Sequence, residues 1–136
     1  MKIDGSCHCG AIRYEAEIDP ANVTICHCTD CQMLTGTAFR ITVQAAAEDF
    51  RLTAGRPKTY RKLTADSGIP RIHAFCAECG SPVYATSDEP RPASYGLRVG
   101  TIRQRRELKP AKQIWHHSVL PWVPLMDELE TVDKQS

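Results

Sequence analysis

The sequence predicts a mainly β fold of antiparallel sheets with one or two short helices. Three observations predict it: stretches in which apolar and polar residues alternate, turn-forming residues between them, and seven cysteines confined to three short clusters. Alternation with a period of two buries one face of a strand and leaves the other in water. Thiols close enough to share an ion can staple a small β structure whose core alone would hold it weakly. At 136 residues the chain is sized for a single domain over 1–136, its core expected within about 5–129.

Residues 11–18 form the clearest strand, with Ile12, Tyr14, Ala16 and Ile18 set against Arg13, Glu15 and Glu17. A shorter strand is expected over 23–26. Residues 30–35 suit a short helix, closed by Gly36 as a left-handed cap. Phe39, Ile41 and Val43 then alternate with Arg40, Thr42 and Gln44. Short strands are expected over 58–63, 71–75 and 82–86. Gly55-Arg56-Pro57, Asp66-Ser67-Gly68 and Asp88-Glu89-Pro90 supply turns between the segments. Tyr95, Leu97 and Val99 alternate with Gly96, Arg98 and Gly100, and 113–116 gives a last strand. Residues 126–129 suit a second helix, and the polar stretch beyond Glu130 is expected to fray.

Composition narrows the function classes. With 42% hydrophobic and 24% charged residues the chain resembles an ordinary globular domain rather than a disordered or coiled-coil protein. No apolar run approaches the roughly 20 residues of a bilayer span, and the N-terminus lacks a secretory signal's apolar segment. The expectation is a cytoplasmic protein without membrane contact. Arg98, Arg103, Arg105, Arg106, Lys109 and Lys112 form a basic stripe holding one acid, Glu107. At a net charge of +1 it reads as a solvated hairpin balanced by Asp127, Glu128, Glu130 and Asp133, so a nucleic-acid partner is not expected.

The cysteines carry the chemistry. Seven is odd, so intrachain disulfides cannot use them all, and the cytoplasm keeps thiols reduced. Cys76-Ala77-Glu78-Cys79-Gly80 has the spacing of a tight turn presenting two thiolates to zinc. A redox pair at this spacing would open a helix, whereas Pro82-Val83-Tyr84 reads as strand. Cys7-His8-Cys9, flanked by Gly5 and Gly10, can bend to share an ion, and Cys26, Cys28 and Cys31 offer three sulfurs from six residues. The simplest partition joins Cys7, Cys9, Cys76 and Cys79 in a closed structural zinc site. Cys26, Cys28 and Cys31 then hold a second zinc with one position open, the arrangement in which zinc does chemistry. Alternatively the triplet recruits His27, or one of His116 and His117, and closes as a purely structural site. His8 and His27, between ligands, read as solvent-facing or supporting residues. A Cys28–Cys31 disulfide is expected only as oxidation after metal loss.

Gly5-Ser6-Cys7-His8-Cys9-Gly10, Cys26-His27-Cys28-Thr29-Asp30-Cys31 and Phe75-Cys76-Ala77-Glu78-Cys79-Gly80 resemble the three signature motifs of the glutathione-dependent formaldehyde-activating enzyme (GFA) family, which includes centromere protein V. The likeness runs from about Gly5 to Leu129 and takes in Trp115 and Pro121-Trp122. It implies a zinc-bearing β-tent fold, a structural zinc on Cys7, Cys9, Cys76 and Cys79, and a catalytic zinc on Cys26, Cys28 and Cys31. The implied activity is that of a carbon–sulfur lyase run in reverse. Its partners are a thiol such as glutathione and a small aldehyde such as formaldehyde, joined as S-(hydroxymethyl)glutathione. The competing expectation is a zinc-stabilised binding module of the same fold without turnover.

Among the remaining residues, Tyr14, Phe39, Trp115 and Trp122 read as core or rim aromatics, Phe75 as inward-facing and Glu78 as exposed. His116 and His117, placed on a strand, would point to opposite faces, so one at most could move a proton near the metal.

Overall fold

In the computed structural model, which describes residues 1–135, the alternating segments become strands whose pairing decides which side chains meet. Ten strands and one α-helix form among the described residues: β1 (Lys2–Ser6), β2 (Arg13–Glu17), β3 (Val23–Cys26), α1 (Thr29–Thr35), β4 (Arg40–Ala46), β5 (Phe50–Ala54), β6 (Lys58–Lys62), β7 (Arg71–Phe75), β8 (Pro82–Ser87), β9 (Ser94–Arg98) and β10 (Lys112–Ile114). They make a three-stranded sheet of order β1-β2-β5 and a seven-stranded sheet of order β10-β3-β4-β9-β8-β7-β6. The mainly β class stands.

Several local expectations change. β1 and β5 lie where no apolar alternation was read, and both are held by pairing to β2 on either side. β10 pairs with β3 in parallel, so the large sheet is not wholly antiparallel. After Arg98 the chain leaves β9 for a 3-10 turn at Val99–Thr101. His116 and His117 sit in another 3-10 turn, His116–Ser118, not on opposite faces of a strand. The expected helix at 126–129 is a 3-10 segment, Val123–Glu128, with Pro124 in its first turn, where the missing N–H costs nothing.

The core lies between the sheets. Tyr14 and Ala16 of β2 are buried while Arg13, Glu15 and Glu17 are exposed, as the alternation required. Opposite them Val23, Val43 and Leu97 are fully buried, linked by the pairings Val23↔Val43 and Val43↔Leu97. Phe50 packs against Tyr14, Tyr84 and Tyr95 at ring separations of 5.7, 5.4 and 4.6 Å, so β5 earns its place through aromatic contacts rather than a regular pattern. Trp115 and Trp122, at 40% and 51% exposure, are surface residues and take no part in the core.

The second face of the large sheet is what positions chemistry. Side chains directly opposite on paired strands share a face, as do residues two apart on one strand. Cys26 stands opposite Arg40, Thr42 opposite Arg98, and the row His73, Ala85, Gly96 continues the face outward. Cys26, Arg40, Arg98 and His73 are thereby carried side by side across the face away from Val43 and Leu97. α1 is tied toward the far edge of this sheet through Asp30, which accepts from Lys62 Nζ at 3.1 Å and Thr64 Oγ1 at 2.7 Å.

Candidate metal centres and the adjoining cavity

The first cluster is assembled from two turns far apart in sequence. After β1 the chain reverses at Gly10, which has φ 82°, and Cys7 N–H donates to Ile12 O at 3.1 Å. After β7 it reverses again at Gly80, φ 77°, whose N–H donates to Cys76 O at 2.8 Å. A hydrogen bond from His8 N–H to Ser81 Oγ, 3.0 Å, links the two turns. The Sγ atoms of Cys7, Cys9, Cys76 and Cys79 all fall within 4.8 Å of one another, with Cys7–Cys9 at 3.6 Å and Cys9–Cys76 at 3.7 Å. Zinc–sulfur bonds of about 2.3 Å in a tetrahedron separate the sulfurs by about 3.7 Å, so the Cys7–Cys9 and Cys9–Cys76 separations match and the donor set is compatible with zinc.

Its electrostatics point the same way. The Ser81 hydroxyl, followed by the Ser81 and Cys9 backbone N–H groups, holds the Cys79 thiol down at about 5. Although the Ala11 N–H favours the thiolate of Cys9, the neighbouring thiols, Cys7 foremost, push it up to about 12. Four crowded sulfurs cannot all ionise unaided, whereas a bound dication favours every thiolate at once.

The second cluster comes from a single stretch. Cys26 ends β3, Cys28 caps α1, and Cys31 lies in the first helical turn with its N–H donating to Cys28 Sγ at 3.2 Å. Gly36, φ 68°, closes the helix as expected. The three Sγ atoms lie within 4.8 Å of one another, and among the described residues no histidine or carboxylate joins them. The closing ligand of the alternative reading is thus not supplied. His27 is buried, not solvent-facing: its Nε2 meets Gln113 Oε1 at 2.6 Å and its ring packs edge-on to His116. His8, His116, His117 and Glu78 are exposed. Cys26, by hydrogen bonding, then Cys28 and Arg40, hold Cys31 at about 5 against burial, while Cys31 drives Cys26 upward.

A cavity of about 310 Å³ on the same sheet face is lined by Leu34, Arg40, Tyr60, His73, Phe75 and Arg98, among others. Arg40 and Arg98 are only 6% and 9% exposed. Burial, then Arg40 beside it, lowers Arg98 to about 9, and it still carries its charge at neutral pH. Burial together with the surrounding cations, Arg98 first, brings His73 down to about 3. A neutral His73 can accept at Nδ1 from Arg98 Nη2, 3.3 Å away.

The model of the glutathione-dependent formaldehyde-activating enzyme family matches residues 2–118. The chain belongs to that family. The match takes in all three cysteine clusters and every strand, and at family level it supports a glutathione-dependent formaldehyde-activating type of function. A crystal structure of a Rhodobacter sphaeroides protein is similar at 25% identity and TM-score 0.62, covering 81% of this chain and 98% of that one. No curated protein matches. Within the family frame, the seven cysteines singled out in the sequence gather into the two groups expected of them. The cysteine pattern does not find Arg40, Arg98 and His73. Arg98 read as part of a solvated stripe, yet it is buried; its position in the alternation gives its sheet face, and nothing in the sequence says that the face is covered.

Proposed function

We propose that the chain is a zinc-dependent carbon–sulfur lyase or synthase that adds a glutathione-like thiol to a small aldehyde such as formaldehyde. Cys7, Cys9, Cys76 and Cys79 would hold a structural zinc, and Cys26, Cys28 and Cys31 a catalytic one. The observation that carries the reading is a cluster of three thiols that no histidine or carboxylate joins among the described residues, beside a cationic cavity. Zinc held by these three thiolates would supply Lewis-acid chemistry, favouring the thiolate form of a substrate thiol.

The chain's own residues account for the rest. Arg40, against Cys31, favours its thiolate and would offset the negative charge of the ionised triplet and of a substrate thiolate held beside it. The Cys31 N–H fixes Cys28 Sγ, and Gln32 pins the helix by donating to His27 O at 2.9 Å and Ser118 O at 3.0 Å. Holding thiol and aldehyde side by side converts a bimolecular encounter into a local one. In the reaction the sulfur–carbon bond forms, the carbonyl π bond opens onto oxygen, and the thiol proton leaves to water. Water returns a proton to the new hydroxyl, so nothing is oxidised or reduced. Two-dimensional exchange NMR of formaldehyde and glutathione, with and without the zinc-loaded protein, tests the proposal. Faster interconversion is expected; unchanged exchange with glutathione and with simpler thiols would reject it in favour of a binding module.

A further inference from the structure

The cavity beside the triplet has two properties that metal binding leaves unused. One is charge. Arg40 and Arg98 each present an Nε–H with no hydrogen-bond partner, and among the described residues no carboxylate comes within 4.0 Å of either guanidinium. Buried arginines are ordinarily paired, because an unmatched cation away from water is costly. The triplet answers for Arg40, which lies against Cys31. Arg98, one strand further out, feels Cys31 and Cys26 only through space; its Nη1 donates to Thr42 Oγ1 at 3.0 Å, its Nη2 meets the neutral His73, and no anion among the described residues touches it directly. The other property is shape: Leu34, Tyr60, Phe75 and Pro82 make much of the remaining wall apolar, and about 310 Å³ accommodates a few methylenes ending in a small anion.

We infer that this cavity is a specificity subsite for the thiol, in which Arg98, assisted by Arg40, binds a carboxylate carried a few methylenes from the sulfur. The inference rests on the thiol-adding reading above and names the substrate class, a carboxylate-bearing thiol. One unmatched cation calls for a monoanion, since a dianionic phosphate would leave the site as unbalanced as it began. Guanidinium and carboxylate planes also match in a two-pronged hydrogen bond, which a phosphate does not require. Leu34 follows Cys31 by one turn of α1, so the apolar wall leads from the triplet toward the arginines.

The test separates the subsite from the reaction. With arginine 15N-labelled, the zinc-loaded protein is titrated with 3-(methylthio)propionate, a thioether that cannot add to an aldehyde, and with its neutral amide. Saturable shifts of the Arg98 and Arg40 Nε–H resonances are expected with the acid, and binding of the amide weaker by at least about tenfold. Arg98→Lys, checked for unchanged melting, should weaken the acid by a similar factor because a point charge replaces the fork. Should that variant fail to fold, the acid–amide comparison on the unaltered chain decides. Equal binding of acid and amide, no saturable shift, or tighter binding of inorganic phosphate would overturn the inference. A parallel exchange assay compares 3-mercaptopropionate with 3-mercaptopropanamide. Equal acceleration of both keeps the lyase reading and removes the subsite. Acid-selective binding with no acceleration of any thiol keeps the anion subsite and removes the reaction.

Discussion

At Gly5 a missing Cβ decides how β1 meets its partner: a Cβ there would run into the Tyr14 ring and stand 2.7 Å from Thr101 O. Tyr14 cannot yield, being buried and hydrogen-bonded to Thr101 Oγ1 at 2.7 Å. Gly5→Ala should therefore destabilise the fold by about 1–3 kcal/mol through overpacking, measured as a lower urea midpoint at unchanged slope. A midpoint equal to that of the unaltered chain would contradict the close approach. His73 makes a different kind of prediction. Its folded pKa of about 3 lies below its ordinary 6.5, so the unfolded chain binds the extra proton between those values. Its contribution to stability is complete above about pH 6.5 and is lost progressively as pH falls toward 3. Between pH 7 and 5, where few carboxylates titrate, His73→Gln should flatten the loss of stability on acidification while keeping an acceptor for Arg98. Parallel pH slopes for the two proteins would show that His73 is not held neutral.

At the scale of elements, the two cysteine groups differ in what they join. Cys7 follows β1 and Cys76 follows β7, so the four-thiol cluster fastens the small sheet to the large one. Cys26, Cys28 and Cys31 belong to one β3–α1 corner. With the proposed structural zinc at this cluster, Cys76→Ser should lower the melting temperature by roughly 10 °C or more, since binding of such an ion is coupled to folding. Cys31→Ser should instead cost only a few degrees and one zinc, read by melting and metal content together; equal losses would erase the distinction. The gathering of the cysteines into two groups was legible in the sequence because ligand spacing is local: Cys-x-x-Cys-Gly specifies its own turn. β2 was legible because it buries one face, Tyr14 and Ala16, and leaves the other in water; β4 was legible from Ile41 and Val43 although its other face is covered at Arg40. β1 and β5 were not, since their place depends on pairing with β2 and, for β5, on the stacking of Phe50. His116 was misplaced because β10 ends at Ile114 and Trp115 turns left-handed at φ 55°, which no pattern announces for a tryptophan.

For the molecule as a whole, the sheets carry two cysteine clusters that could hold metal ions, and the proposed ions would have unequal consequences for folding. The four-thiol cluster closes a loop of about seventy residues between its two turns, and the hydrogen bond from His8 to Ser81 crosses the same gap. Removing its ion frees both turns together, leaving crowded thiols that cannot all ionise and restoring the chain entropy that the crosslink had suppressed. The three-thiol cluster spans six residues, and α1 is also held by contacts that involve no thiol: the Gly36 cap, the Gln32 hydrogen bonds and the Asp30–Lys62 contact. Three donors also hold a metal less tightly than four. If each cluster holds the zinc proposed for it, titrating the zinc-loaded protein with a chelator should release metal in two steps: a first equivalent at nearly constant far-ultraviolet circular dichroism, then a second that coincides with cooperative loss of β structure. A metal-release dye read alongside the dichroism checks this. Simultaneous release of both equivalents, or unfolding with the first, would mean that the triplet rather than the inter-sheet cluster holds the fold together.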